Sequence, residues 1–331
     1  MYGTFRLALA IMVVMAHMGH VGSIGGMAVK GFFVLSGFLM TMLMDTTYRG
    51  RVGAFALNRF LRLYPTYWAS MALSALILAF FPTSNGYLGY PHLTSLPFQL
   101  LYLNTSDDTP NLLPTAWAVT NEIVMYILIG LGISKTIGRT AVWLSVSALY
   151  VACLPEFAPG NSGWDYFYPP AASLPFAVGA MAYHLRESLP RQWSLHVAAS
   201  ALAGLAVAIY LADGPKFGQS ANFLFMLSSA FLVPSLLYVR SSELIRTWDG
   251  RLGSLSYPLY LIHFPGACIT FALLHPWGVW QADYEVLACG LMLSAIIVVL
   301  IDNPIQKLRD AVRARATMGE TKSAIPADAR A

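Results

Sequence analysis

Long apolar runs alternate with short polar stretches along the whole chain. Ten runs stand out, near 5–22, 24–44, 64–82, 115–133, 141–154, 170–185, 196–212, 222–239, 253–274 and 285–302. A helix needs about 20 apolar residues to cross the ~30 Å hydrocarbon layer of a bilayer. The fifth to seventh runs are short by that measure, so their ends are the least defined. In lipid every backbone polar group must be satisfied internally, which favours helices for runs of this kind. The pattern therefore predicts an all-α, polytopic membrane helix bundle of about ten transmembrane helices. In the long loop 83–114, which also carries Asp107 and Asp108, the stretch 96–103 is apolar but too short to span. It is expected to lie at the interface or fold back into the bundle. The end of the chain is charged, Ala-rich and aperiodic, which predicts a bundle over 1–310 and a disordered cytoplasmic tail over 311–331.

Charge orients this pattern. Eighteen of the twenty Lys and Arg residues fall in the first stretch, in alternate loops and in the tail; Lys30 and Lys216 are the two others. Basic loops stay cytoplasmic, so both termini are expected there. Apolar residues make up 57% and charged residues 11% of the chain, against roughly 25% charged in soluble domains. A soluble fold of this size is excluded. The net charge of +4 is spread between spans rather than along one helix face, which excludes a nucleic-acid surface. The cysteines Cys153, Cys268 and Cys289 lie in apolar runs without a CxxC spacing, so neither a disulfide frame nor a metal site is expected. The first run follows Arg6 and has no small-residue cleavage site before the second, so it reads as a retained first helix.

Ionisable groups inside spans are the candidates for chemistry. Arg6 and His17 are three helical turns apart, on one face and about 16 Å along the axis. His20 continues that face. Glu122 enters from the opposite end of the fourth run. Counting ~1.5 Å per residue places its depth within a few ångströms of His17, so the two are expected to meet, the carboxylate orienting the ring as a general base. His263 lies between Pro258 and Pro265, which free backbone carbonyls where a span lines a cavity. Arg59 and Arg62, three residues apart, present two guanidinium forks suited to phosphate. Single intramembrane histidines also serve as interhelical hydrogen-bond partners, and basic residues at span ends also serve as topology signals. His184, His196 and His275 at span ends fit interfacial roles, and Asp302 fits a structural one.

These residues together resemble the acyltransferase-3 family of integral membrane acyltransferases. The resemblance rests on the Arg6–His17 spacing, Phe32-Phe33-Val34-Leu35-Ser36-Gly37-Phe38, Arg59-x-x-Arg62-x-x-Pro65, Trp117 with Glu122 and Tyr126, Ser256-Tyr257-Pro-Leu-Tyr260-Leu-Ile-His263, and Asp302-Asn-Pro304. It covers residue 2 to about 310. It departs at Lys30 and at Tyr2-Gly-Thr-Phe, where many members carry Asp, and at Asp302, where many carry Glu. The resemblance implies a ten-helix O-acyltransferase of the bacterial inner membrane. Its co-substrate would be cytoplasmic acyl-CoA, most simply acetyl-CoA, and its acceptor a glycan or glycolipid on the outer side. It implies catalytic roles for His17, Glu122 and Arg6, donor binding by Arg59 and Arg62, and a site lined by Ser36, Asn121, Tyr257 and His263. No metal is implied. The competing class is a proton-coupled secondary transporter using His17 and Glu122 as a relay, against which stand the absence of internal repeats and the cytoplasmic arginine pair.

Overall fold

The computed structural model describes residues 1–19, 22–82, 88–101, 110–157, 163–188, 190–212, 218–239, 241–277 and 282–323. His20, Asp107, Asp108, Lys216, Arg240 and the final residues from 324 lie outside them. Among the described residues the chain is helical, with one isolated bridge between Leu88 and Asn111. The helices are α1 (Tyr2–His17), α2 (Gly22–Asp45), α3 (Val52–Phe80), α4 (Leu96–Leu100), α5 (Trp117–Gly130), α6 (Ile137–Phe157), α7 (Pro169–Leu185), α8 (Ser194–Leu211), α9 (Gly218–Ser235), α10 (Glu243–Leu274), α11 (Asp283–Ile297) and α12 (Asn303–Ser323). A π-helical turn, Val298–Asp302, joins the last two.

Each apolar run of the sequence carries a helix. Among the described residues six segments are long and apolar enough to cross a membrane: Ile24–Asp45, Val52–Phe80, Ile137–Glu156, Arg191–Leu211, Glu243–Trp277 and Asp283–Ala316. α5 has 14 residues, yet the irregular chain before it is buried at Leu112, Leu113 and Thr115. Non-helical backbone is tolerated at membrane depth when protein covers it. The helix over 303–323 departs from the structureless tail expected from residue 311. Ala, Arg and Glu are strong helix formers, so this stretch needs no apolar run to be helical.

α2 is the central helix. It packs most extensively against α7 and also touches α1, α5 and α9. Small residues allow this. A Cβ placed on Gly37 would collide with the Phe176 carbonyl of α7, and one on Gly179 with the Val34 carbonyl of α2. In lipid, helices associate through such close packing rather than by hydrophobic exclusion. Gly179→Ala is therefore expected to force the pair apart, at a cost of roughly 1–3 kcal/mol. Thermal denaturation in detergent reads this as a lowered Tm. Gly138→Ala, in α6 with open space around it, serves as the control and is expected to be neutral or slightly stabilising. Equal melting temperatures for the two variants would refute the close crossing.

The short α4 folds back onto α3. Tyr67 donates to the Gln99 carbonyl at 2.6 Å, Trp68 to that of Leu100 at 3.1 Å and Tyr64 to that of Leu101 at 3.3 Å. The orphan carbonyls at the end of a one-turn helix are thereby satisfied.

Candidate active site

α1 is held by α10. The first N–H groups of a helix have no intrahelical partner. Here Asp249 of α10 accepts from the N–H of Gly3 at 3.0 Å and of Thr4 at 2.8 Å, and from the Thr4 hydroxyl at 2.8 Å. Gly3 and Gly253 then meet backbone to backbone. From that anchor the two helices run side by side in the same direction. Further along, His17 lies beside His263, with ring centroids 5.0 Å apart.

The histidine pair has a defined proton arrangement. His263 is fully buried, and its Nδ1 lies 3.0 Å from the Tyr260 carbonyl and 3.3 Å from that of Leu259. Carbonyls only accept, so Nδ1 carries the hydrogen and, in the neutral ring, Nε2 is the acceptor. That Nε2 faces Nδ1 of His17 at 3.1 Å. His17 Nδ1 must then donate, which leaves the lone pair of His17 on Nε2. This assignment follows from the hydrogen-bond network. Phe264 packs against both rings, at 4.9 Å from His17 and 4.7 Å from His263, and restricts their rotation.

Two cavities lie nearby; His17 lines the first, whereas His263, expected as a lining residue, lines neither and touches the site through His17. The His17 cavity, of ≈ 410 Å³, is walled by Lys30, Trp117, Tyr166, Phe167 and Tyr260. Lys30 donates to the Asn222 side-chain oxygen at 3.1 Å. The arginine cavity, of ≈ 130 Å³, is lined by Arg6, Arg59, Arg62 and Arg309, with Ser36 and Glu122 opposite. Val29 and Tyr260 line both cavities and form the partition. Tyr260 is immobilised there, its hydroxyl donating to the Thr115 carbonyl at 3.1 Å and its own carbonyl accepting from the Thr115 hydroxyl at 2.9 Å.

The expected pairing of His17 with Glu122 is not formed. Glu122 accepts from the Ser36 hydroxyl at 2.9 Å and from the Tyr126 hydroxyl, and it faces the arginine cavity. The cause is helical rotation. Trp117 faces the His17 cavity, and Glu122 follows five residues later, about 140° around the helix and ~7.5 Å along it. Matching depth alone did not bring the two groups together. Asn121 is a second correction. Its amide donates to the Phe167 carbonyl at 2.9 Å, tying α5 to the π-helical turn Gly163–Phe167, and it lines neither cavity.

The remaining expected residues converge. Arg59 and Arg62 share a face of α3 and both reach the arginine cavity, as does Tyr257, whose hydroxyl donates to the Leu63 carbonyl at 3.0 Å. Arg62 pairs with Asp302 at 3.2 Å, and Thr66 donates to the same carboxylate. Among the described residues Arg59 donates to neutral acceptors, Asn58 at 2.6 Å and the Met40 sulfur at 3.5 Å, lies over the Phe55 ring at 5.8 Å, and leaves its buried Nε without a partner. Residues 4–302 match the family described as an acyltransferase domain, Acyl_transf_3. The chain belongs to the acyltransferase-3 family. No curated protein and no solved structure matches it.

In this acyltransferase the sequence reading missed Arg309, Lys30, Tyr166 and Phe167 as cavity residues. Arg309 had a legible signal. Asp302, Gln306, Arg309 and Arg313 follow at i, i+4, i+7 and i+11, one polar face of a helix. Tyr166 and Phe167 come from a short π-helical turn between apolar runs, where no periodicity announces a wall.

Proposed function

We propose that this membrane acyltransferase moves an acyl group, most simply acetyl, from cytoplasmic acyl-CoA to a hydroxyl of a glycan or glycolipid at the outer face of the bacterial inner membrane. In this reading α1–α3 and α5–α11 cross the bilayer and both termini are cytoplasmic, in keeping with the basic loops. The observation that carries the proposal is the back-to-back arrangement of a cationic cavity and an imidazole cavity across the Val29–Tyr260 partition. A thioester carrying phosphates suits the first, and a neutral hydroxyl acceptor suits the second.

The donor's phosphates bind Arg59 and Arg62, with Arg6 beside them, since guanidinium groups pair with phosphate in a bidentate manner. The slender pantetheine arm fills the arginine cavity, whose small volume favours a short acyl group. Glu122 supplies the nearby negative charge when the donor is absent. At the partition, His17 Nε2 takes the proton of the acceptor hydroxyl as its oxygen attacks the thioester carbonyl. The C–S bond breaks, and the CoA thiolate leaves with the proton returned by the imidazolium. His263 and Phe264 hold the ring in the tautomer this step requires.

Sealed inverted and right-side-out vesicles of native membranes, given acetyl-labelled acetyl-CoA, test the reading. Label is expected on the glycan fraction when the donor contacts the face carrying the basic loops. Vesicles that neither bind CoA nor transfer label would remove the proposal, and solute-coupled proton uptake in the same vesicles would favour a transporter. A burst of CoA release without acceptor would replace direct transfer by an acyl-imidazole at His17 Nε2.

A further inference from the structure

α12 begins where the family match ends, yet it reaches the arginine cavity. It is docked to α3 from one side. Asn58 donates to the Arg309 carbonyl at 3.1 Å, and Arg51 donates to the Arg315 carbonyl at 3.1 Å. Between α12, the start of α3 and the end of α2 lies another cavity, of ≈ 230 Å³. Arg6, Arg59 and Arg309 line both this space and the arginine cavity, so the two adjoin at three guanidinium groups. Its outer wall adds Arg313, Gln306 and Asp310, and its floor is apolar, with Met40, Leu43 and Tyr48.

Charge in this region is incompletely compensated. Among the described residues Arg6, Arg59 and Arg309 make no ion pair, while Arg62 pairs with Asp302. Arg309 donates to the Gln306 side-chain oxygen at 2.6 Å, and its Nε is buried without a partner, as is that of Arg59. The carboxylates nearby are Glu122, already bonded to Ser36 and Tyr126, and Asp310, which accepts from Gln306 at 2.8 Å. Taking several guanidinium groups out of water with fewer carboxylates than cations and no direct ion pair at Arg6, Arg59 or Arg309 is costly. Clustered arginines with unbonded N–H groups fit a polyanion that arrives as a ligand.

We propose that α12 builds the nucleotide end of the donor site, with Arg309 and Arg313 taking the 3′-phosphate of CoA. This rests on acyl-CoA being the donor. The arginine cavity, at ≈ 130 Å³, is too small for a nucleotide together with the pantetheine arm, whereas the adjoining space is open beside it. The nucleotide therefore lies under α12, its base over the apolar floor. Its diphosphate sits at the shared rim of Arg6 and Arg59, and its 3′-phosphate at Arg309. The acyltransferase then distinguishes CoA thioesters from shorter pantetheine thioesters by a helix outside the matched region.

The experiment compares acetyl-CoA with acetyl-dephospho-CoA, which lacks only the 3′-phosphate, in transfer assays on the full chain. Wild type is expected to show a KM about 10–100-fold higher for the dephospho donor, the usual effect of losing a charge-assisted hydrogen bond, with kcat little changed. Arg309→Gln is expected to raise KM for acetyl-CoA by a similar factor and to leave KM for the dephospho donor unchanged, so the two changes are non-additive. Arg313→Gln, on the same face one turn on and more exposed, gives a smaller shift in the same direction. It keeps the test open should the first variant fold poorly. Equal KM values for the two donors in wild type, or a KM increase of the same factor for both donors in each variant, would overturn the assignment. Wild type that uses neither donor would remove the acyl-CoA reading itself, a separate outcome.

Discussion

His17→Ala is expected to lower acyl transfer by about 10²–10⁴-fold while acetyl-CoA binding stays within a factor of two or so of wild type. The size of the loss follows from the role of the ring. A positioned general base contributes this much when it removes a proton in the transition state, and among the described residues His263, whose Nε2 also carries a lone pair, sits behind His17 and does not line the cavity. Glu122, the nearest expected substitute, is bonded to Ser36 and Tyr126 and faces the other cavity. Lys30 borders the His17 cavity but donates to Asn222, and a protonated amine cannot act as a base. Binding is spared because the phosphate ligands lie beyond the Val29–Tyr260 partition. Transfer measured at saturating donor, beside calorimetric titration with CoA, separates the two effects. A variant that transfers normally refutes the base. One that loses CoA binding in step with transfer shows instead that α1 has moved. The activity of wild type should also fall on the acid side, because a proton on Nε2 removes the lone pair the reaction uses.

The helical architecture was legible because each apolar run carries a helix, and among the described residues six segments are long and apolar enough to cross a membrane. The helix ends were not. The third run begins near 64, at Tyr64-Pro65, but α3 begins at Val52 and carries Pro65 inside it. The ninth begins near 253, but α10 starts at Glu243, where Ser242 accepts from the Ile245 N–H at 3.3 Å. The first extension carries Asn58, Arg59 and Arg62 and the second Glu243, Arg246, Asp249 and Arg251, so a reading by uninterrupted apolar runs passes over both. Both matter to the site. The first places Asn58, Arg59 and Arg62 on rigid helix rather than in a loop, and the second brings Asp249 to the start of α1.

Site residues divided along the same line. Spacing within one helix sets a shared face: Arg59 and Arg62, three residues apart on α3, line one cavity. The expected pairing of His17 with Glu122 between helices is not formed. The sequence places His17 and Glu122 at one depth, but rotation about the α5 axis and the lateral order of helices decide which groups touch. Neither is written in a hydropathy pattern. The histidine partner of His17 was expected only as a lining residue, because the parallel register of α1 and α10 depends on the Gly3–Gly253 contact and on the Asp249 clamp.

That register makes His263 a positioning residue, and its substitution has the second large effect. His263→Leu removes the side-chain acceptor of His17 Nδ1–H and leaves the ring its backbone hydrogen bond to Val13. The His17 ring is then freer to populate the other tautomer, with the hydrogen on Nε2 and no lone pair toward the acceptor hydroxyl. Trapping a catalytic imidazole in its wrong tautomer is known to cost up to about 10⁴-fold in another enzyme class. Here the loss is expected at roughly 10²–10³-fold in kcat, because the ring retains access to both tautomers, with KM for acetyl-CoA unchanged. His263→Gln is the informative partner. Its side-chain oxygen reaches the same space and accepts from Nδ1–H, so a substantial part of the lost kcat should return. A merely structural histidine would behave otherwise: both variants would lower Tm, and activity would follow stability rather than acceptor capacity. Two results in well-folded protein count against the tautomer argument. One is kcat in His263→Leu equal to wild type. The other is His263→Gln as inactive as His263→Leu at the same Tm.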